Sequence, residues 1–210
     1  MTTKKQEKIK FSKAFWVANT VELFERAAYY GVFIVITLYL SRILGFNDIQ
    51  AASIAGIFSA CLYLLPTFAG ALADKIGFRN SMLLAFTLLT CGYLGLAVYP
   101  TWLQSAGLVE YSTTTTFTGL LESNLQYGII PIMALIVCGG AFIKSVISGT
   151  VAKETTPETR AKGFSIFYAM VNIGAFSGKT IVKPLREALG NEGLITLNYC
   201  LLYTSPSPRD

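Results

Sequence analysis

The stretch Glu22-Leu23-Phe24-Glu25-Arg26-Ala27-Ala28-Tyr29-Tyr30-Gly31 places three charges inside an apolar run. Glu22, Glu25, Arg26, Tyr29 and Tyr30 are spaced i, i+3, i+4, i+7 and i+8, which on an α-helix is one face. The run around them, Ala14 to Leu44, covers roughly 45 Å at 1.5 Å per residue, enough to cross a bilayer. Arg26 then falls near the middle of the hydrocarbon, where an ion costs about 2.5–3.5 kcal/mol on insertion scales unless it is paired or faces water. A single Arg–Glu pair that locks two helices together accounts for two of the charges. The remaining carboxylate has no such role, so the stripe reads as a functional site.

Composition agrees with a membrane location. Of 210 residues, 53% are hydrophobic and 14% charged, with a mean hydropathy of +0.53. Soluble domains sit nearer 45–50% apolar and about 25% charged. The reading is an all-α, multi-pass membrane protein. The net charge of +5 comes mostly from residues outside the spans and speaks to topology, with no nucleic-acid partner implied. The chain has no histidine, which excludes histidine metal sites and His-centred triads. Cys61, Cys91, Cys138 and Cys200 stand singly, without C-x-x-C spacing, and suggest neither a disulfide framework nor a metal site.

Residues 1–13 hold Lys4, Lys5, Lys8, Lys10 and Lys13. The apolar segment behind them is too long and too charged for a signal peptide, so it is kept as a first span. Gly45-Phe46-Asn47-Asp48 reads as a turn with a helix N-cap. A second span follows from Asp48 to Asp74, with Pro66 as a kink; a third covers Ser81 to Tyr99. Pro100 to Gln126 is a polar loop, including Thr113 to Thr116, without Lys or Arg. A fourth span covers Tyr127 to Val151, and a fifth Gly163 to Leu185. After a turn at Arg186 to Gly193, Leu194 opens a sixth. Lys and Arg number ten on the side of the N-terminus against three (Arg42, Lys183, Arg186) on the other, so the N-terminus is expected in the cytoplasm. Residues 200–210 break abruptly into a Pro/Ser tail that equals the translation of a common transposase sequencing adapter. They are set aside as an adapter-derived artefact. The expectation is therefore a transmembrane bundle over residues 14–199, cut inside helix 6.

Gly70-Ala-Leu72-Ala73-Asp74-Lys75-Ile-Gly77-Phe-Arg79 resembles the G-x-L-x-D-R/K-x-G-R-R/K turn of the major facilitator superfamily. In it Gly70, Asp74, Lys75, Gly77 and Arg79 form a cytoplasmic gating motif. Within that superfamily, Glu22 to Gly31 resembles the E-x-x-E-R-F-x-Y-Y-G helix of the proton-dependent oligopeptide transporters, with Ala27 in place of an aromatic residue. Tyr63-Leu-Leu-Pro66-Thr-Phe-Ala-Gly70 is similar to their Y-x-x-P-x-x-G-G. Gly140-Ala-Phe142-Ile-Lys144 is similar to their G-x-F-x-K, although Ser145 stands where proline usually follows. Phe167-Tyr168-Ala-Met-Val171-Asn172-Ile-Gly174 resembles their F-Y-x-x-I-N-x-G. The resemblance runs over nearly all of residues 14–199 and implies the N-terminal six-helix half of such a transporter, in a bacterial cytoplasmic membrane.

Lys144 lies about seven residues from the cytoplasmic end of its helix, and Glu22 about eight from the same side. At matching depth, a salt bridge between Lys144 and a carboxylate of helix 1 is possible, and protonation of that carboxylate would break it. Glu22, Glu25 and Lys144 are thus candidates for proton coupling. The resemblance implies further that Arg26 and Lys144 receive a substrate carboxylate, Arg26 bidentately. It implies that Asn172 bonds peptide groups and that Tyr29, Tyr30 and Tyr63 line a cavity. The partners implied are small peptides, the lipid bilayer and a C-terminal half that would hold the amino end of the peptide. No cofactor is implied beyond protons as the coupling ion. Proton-coupled symport of di- and tripeptides is the expected function. The alternatives are a related transporter of another anionic or zwitterionic solute and a non-transporting receptor on the same scaffold. No nucleotide loop, metal cluster or nucleophile–base pair points to an enzyme.

Overall fold

The computed structural model describes residues 11–108 and 124–204, with side chains except at Lys183 and from residue 185 onward. Everything regular in it is helical. Helix α1 (Lys13–Leu38) runs into a π-helical turn (Tyr39–Ile43), followed by α2 (Asp48–Ile76) and α3 (Phe78–Ser105). A 3₁₀ turn (Leu125–Gly128) leads into α4 (Ile129–Lys153), and α5 spans Arg160–Thr204. Four of these helices are long and apolar enough to cross a membrane, α1 to α4. The expected fifth span is not among them, because Asn172, Ser177 and Lys179 dilute the apolar run of α5.

Local chemistry sets most of the boundaries. Ser12 caps α1 by accepting from the Phe15 N–H at 3.1 Å. Asn47 and Gln50 close a capping box at the start of α2, the cap expected from the turn at residues 45–48. Gly77, with φ +85°, lets the chain turn directly from α2 into α3.

Two boundaries differ from the sequence reading. The loop expected to begin at Pro100 starts later, since α3 continues through the proline to Ser105. Proline has no N–H to give the carbonyl four residues back, here that of Leu96. The Tyr39 hydroxyl donates to that carbonyl at 2.7 Å, so the helix passes the proline without a buried orphan acceptor. Likewise, the turn expected at Arg186 to Gly193 is helical, and the sixth helix expected from Leu194 is continuous with α5. Leu185 to Leu189 are strong helix formers, and each glycine that follows costs only about 1 kcal/mol against alanine. The expected loop residues Thr113 to Thr116, the lysines up to Lys10 and residues 205–210 lie outside the described residues.

Helix α4 is the centre of the bundle and touches each of the other four. It buries side chains around much of its circumference, from Ile136 and Val137 through Ala141, Phe142 and Ile143 to Ile147. Helix α1 packs chiefly on α5, while α2 and α3 pack on α4. The charged stripe of α1 therefore faces protein on both sides.

Candidate functional site

Glu22, Glu25 and Arg26 are 3%, 3% and 5% exposed, so three charged side chains are buried together. Arg26 Nε lies 3.2 Å from Glu22 Oε1, and the same guanidinium pairs with Glu25 Oε2. Glu22 Oε2 is buried without a hydrogen-bond partner. With all groups ionised, two carboxylates face one guanidinium and the cluster is one negative charge in excess.

Glycines from two of the sequence motifs let the neighbouring helices close on this cluster. A Cβ at Gly140 of α4 would lie 2.8 Å from Leu62 Cδ2 of α2 and 4.0 Å from Glu25 Oε1. One at Gly174 of α5 would press on the Leu23 carbonyl and stand 2.9 Å from Arg26 Cβ. Larger residues at either place would hold the helices apart.

One turn beyond Gly140, Lys144 is half-buried. Its Nζ donates to the Leu62 carbonyl at 3.2 Å. It stands 4.7 Å from the Tyr63 ring centroid and 5.9 Å from that of Tyr29. The salt bridge expected between Lys144 and a carboxylate of α1 is not formed. Among the described residues, both ion pairs belong to Arg26. Arg26 sits on the same helix as its two partners, one and four residues away, and its planar fork reaches both without any helix having to move.

A cavity of about 800 Å³ opens beside the cluster. Glu22, Arg26, Tyr30, Tyr63, Lys144, Gly70 and Asp74, all singled out in the sequence, line it. Glu25 and Tyr29 are buried but do not reach its wall; Tyr29 stacks on Phe33 and Phe58, with Arg26 5.2 Å from its ring centroid. Asn172 is exposed on α5 and is not part of the wall, although its neighbour Val171 is. Lys75, Gly77 and Arg79 are exposed at the turn between α2 and α3 and lie outside the cavity as well.

The sequence reading missed three residues. Ser145 lines the cavity and donates to the Pro66 carbonyl at 2.6 Å or to the Ala141 carbonyl at 3.0 Å, one proton serving one acceptor at a time. Tyr93 of α3 is fully enclosed and within electrostatic reach of Glu25 and Arg26. Lys179 of α5 stands 4.8 Å from the Tyr30 ring centroid. Lys179 was legible as a cation inside an apolar run and Ser145 as a departure from the motif's usual proline, whereas Tyr93 carries no signal that separates it from packing residues. Cys61, Cys91 and Cys138 are free thiols.

The profile of the Major Facilitator Superfamily matches residues 19–182. The chain belongs to the major facilitator superfamily. That family is one of membrane transporters and not of enzymes. This facilitator chain is 28% identical over 191 residues to dipeptide and tripeptide permease B of Photorhabdus asymbiotica, covering 90% of itself and 34% of that protein. It is 31% identical over 171 residues to dipeptide and tripeptide permease A of Salmonella typhi, covering 78% of itself and 29% of the permease. A structure solved in work on substrate recognition in proton dependent oligopeptide transporters superposes with a TM-score of 0.70 at 24% identity. That superposition covers 91% of this facilitator chain and 39% of the other, and it speaks for the fold. The facilitator chain spans about a third of the length of the curated relatives it matches.

Proposed function

We propose that this chain is the N-terminal half of a proton-coupled symporter of di- and tripeptides. It would work by alternating access between two six-helix bundles, with its N-terminus in the cytoplasm of a bacterial cell. The observation that carries the reading is the charge balance of the buried cluster and Lys144; Asp74, exposed near the turn between α2 and α3, also lines the cavity and is not part of that sum. Glu22, Glu25 and Arg26 together are one charge negative, and Lys144 in the same cavity brings the sum to zero. A proton on either carboxylate then leaves one positive charge in surplus beside the cavity. A substrate carboxylate is the group that would neutralise it. Proton and peptide carboxylate thus enter this site as a neutral pair, which favours their joint binding in a low-dielectric setting, while the peptide's ammonium is left to the other half of the transporter.

Arg26 and Lys144 line the cavity and are the cations for the peptide carboxylate, while Tyr30 and Tyr63 border the same space. Glu25 and Tyr29 support them from behind. Asn172 would act from the exposed face of α5, toward the other half of the transporter. The turn carrying Gly70, Asp74, Lys75, Gly77 and Arg79 is assigned to gating at the cytoplasmic side. The permease relatives support peptides as the substrate class. Ala27, Ser145 and the additional cation Lys179 depart from the expected pattern and favour, as a second reading, a different small anionic or zwitterionic solute for the same machinery.

Uptake of a labelled dipeptide into proteoliposomes under an inward proton gradient tests the proposal in the complete transporter. Glu22→Gln, Glu25→Gln and Lys144→Ala are each expected to lower proton-driven uptake at least tenfold. Unchanged uptake in all three would sink the mechanism. A receptor on this scaffold would show neither flux nor pH-linked peptide binding. The 210-residue chain by itself is expected to give no flux.

A further inference from the structure

Lys144 is the cation that the proposed mechanism needs most, yet it touches no carboxylate. What holds it is a backbone carbonyl, that of Leu62. In an uninterrupted helix this carbonyl would accept from the N–H of residue 66, and residue 66 is a proline. We propose that Pro66 is a positioning residue: by withholding its N–H it frees the Leu62 carbonyl as the resting anchor of the Lys144 ammonium. The inference rests on the transport reading for what Lys144 does with a substrate, and on geometry alone for the anchor.

Three observations converge on it. The same rule operates at Pro100, whose freed Leu96 carbonyl is filled by the Tyr39 hydroxyl from another helix. The chain therefore meets each of these two proline gaps with a donor from a neighbouring helix, and at Pro66 the donor is charged. Gly140 lets α4 approach Leu62 closely enough for a residue one turn further on to reach over to its carbonyl. Ser145, next to Lys144, can donate to the carbonyl of Pro66 itself, so two successive residues of α4 engage the proline turn of α2.

The anchor explains how Lys144 keeps its full charge available. Its near partners are a carbonyl dipole and the Tyr63 ring, both neutral. Arg26 already occupies the carboxylates, so Lys144 is not spent in an ion pair. An ammonium on a neutral anchor at a cavity wall can transfer to an incoming carboxylate without another ion pair having to break first. Pro66 therefore sets the starting position of the substrate-binding cation while touching no substrate itself.

The test is carbonyl NMR on the 210-residue chain in lipid nanodiscs, with leucine labelled at its ¹³C carbonyl and tyrosine with ¹⁵N. Only Leu–Tyr links give directly coupled signals, and the chain has three: Leu38–Tyr39, Leu62–Tyr63 and Leu202–Tyr203. Tyr63→Phe removes the middle one and so identifies it. With Pro66 present, Lys144→Met is expected to move the Leu62 carbonyl upfield, as loss of a hydrogen bond does. With Pro66→Ala, the N–H of residue 66 takes the carbonyl and Lys144→Met is expected to leave it in place. Equal movement in both backgrounds, or none in the first, overturns the anchor. If Pro66→Ala yields no folded protein, Lys144→Arg decides: a signal held downfield supports the anchor, and one displaced as in Lys144→Met overturns it. No flux enters this measurement, so its failure leaves the transport reading standing. Failure of the uptake assay would overturn that reading while leaving the anchor intact.

Discussion

Arg26 holds two carboxylates in a place where none of the three groups is solvated. Removing it alone strands both anions. Arg26→Met is expected to lower stability by about 3–5 kcal/mol, the usual effect of breaking a buried pair from one side. The triple variant that adds Glu22→Gln and Glu25→Gln is expected to recover most of that loss, because the buried charges are then gone together. Denaturation of the purified chain in detergent, followed by circular dichroism, checks both. A triple variant no more stable than Arg26→Met would mean that the guanidinium stabilises by packing on the Tyr29 ring, 5.2 Å away, and not by pairing.

At the scale of elements, prolines inside helices act here as places where one helix can grip another. Pro100 leaves the Leu96 carbonyl to Tyr39, which ties the π-helical end of α1 to α3. Tyr39→Phe is expected to cost about 1–3 kcal/mol, since it leaves a buried acceptor unsatisfied. In a Pro100→Ala background the cost attributable to that bond is expected to vanish, because the alanine N–H supplies the carbonyl from within α3. A double-mutant cycle by the same unfolding measurement isolates the term. An interaction energy near zero would show that the hydroxyl contributes through other contacts of Tyr39.

For the whole molecule, the order of the helices places the charge cluster, the cavity and the turn between α2 and α3 on one continuous path. Asp74 near the end of α2 and Glu22 in α1 line the same cavity, so the space runs from the α2–α3 turn to the buried charges. The asymmetry of Lys and Arg predicts that this turn faces the cytoplasm. With Cys61, Cys91, Cys138 and Cys200 replaced by alanine, single cysteines at exposed Arg42 and Arg79 report the orientation. A membrane-impermeant maleimide applied to intact cells is expected to label Arg42→Cys and to spare Arg79→Cys until the membrane is opened. The reverse pattern would invert the topology.

Sequence by itself determined that the chain is helical and membrane-embedded, where α1 and α2 begin, and which face of α1 carries the charges. Those features follow from hydropathy, helical periodicity and capping chemistry, all of which act over a few residues. It also singled out Glu22, Arg26 and Lys144, because ionisable groups inside a span are costly enough to stand out, and the family resemblance added Tyr30 and Tyr63. What it could not decide was which partner each group would take. Lys144 matched the carboxylates in depth, yet Arg26 pairs with both of them from within the same helix. The run through Pro100 was equally hidden, since the hydroxyl that rescues it belongs to Tyr39, 57 residues before the Leu96 carbonyl it serves. Only the tertiary structure brings such donors to the freed carbonyls. A hydrogen bond between helices depends on how closely they pack, and no spacing along one helix encodes that.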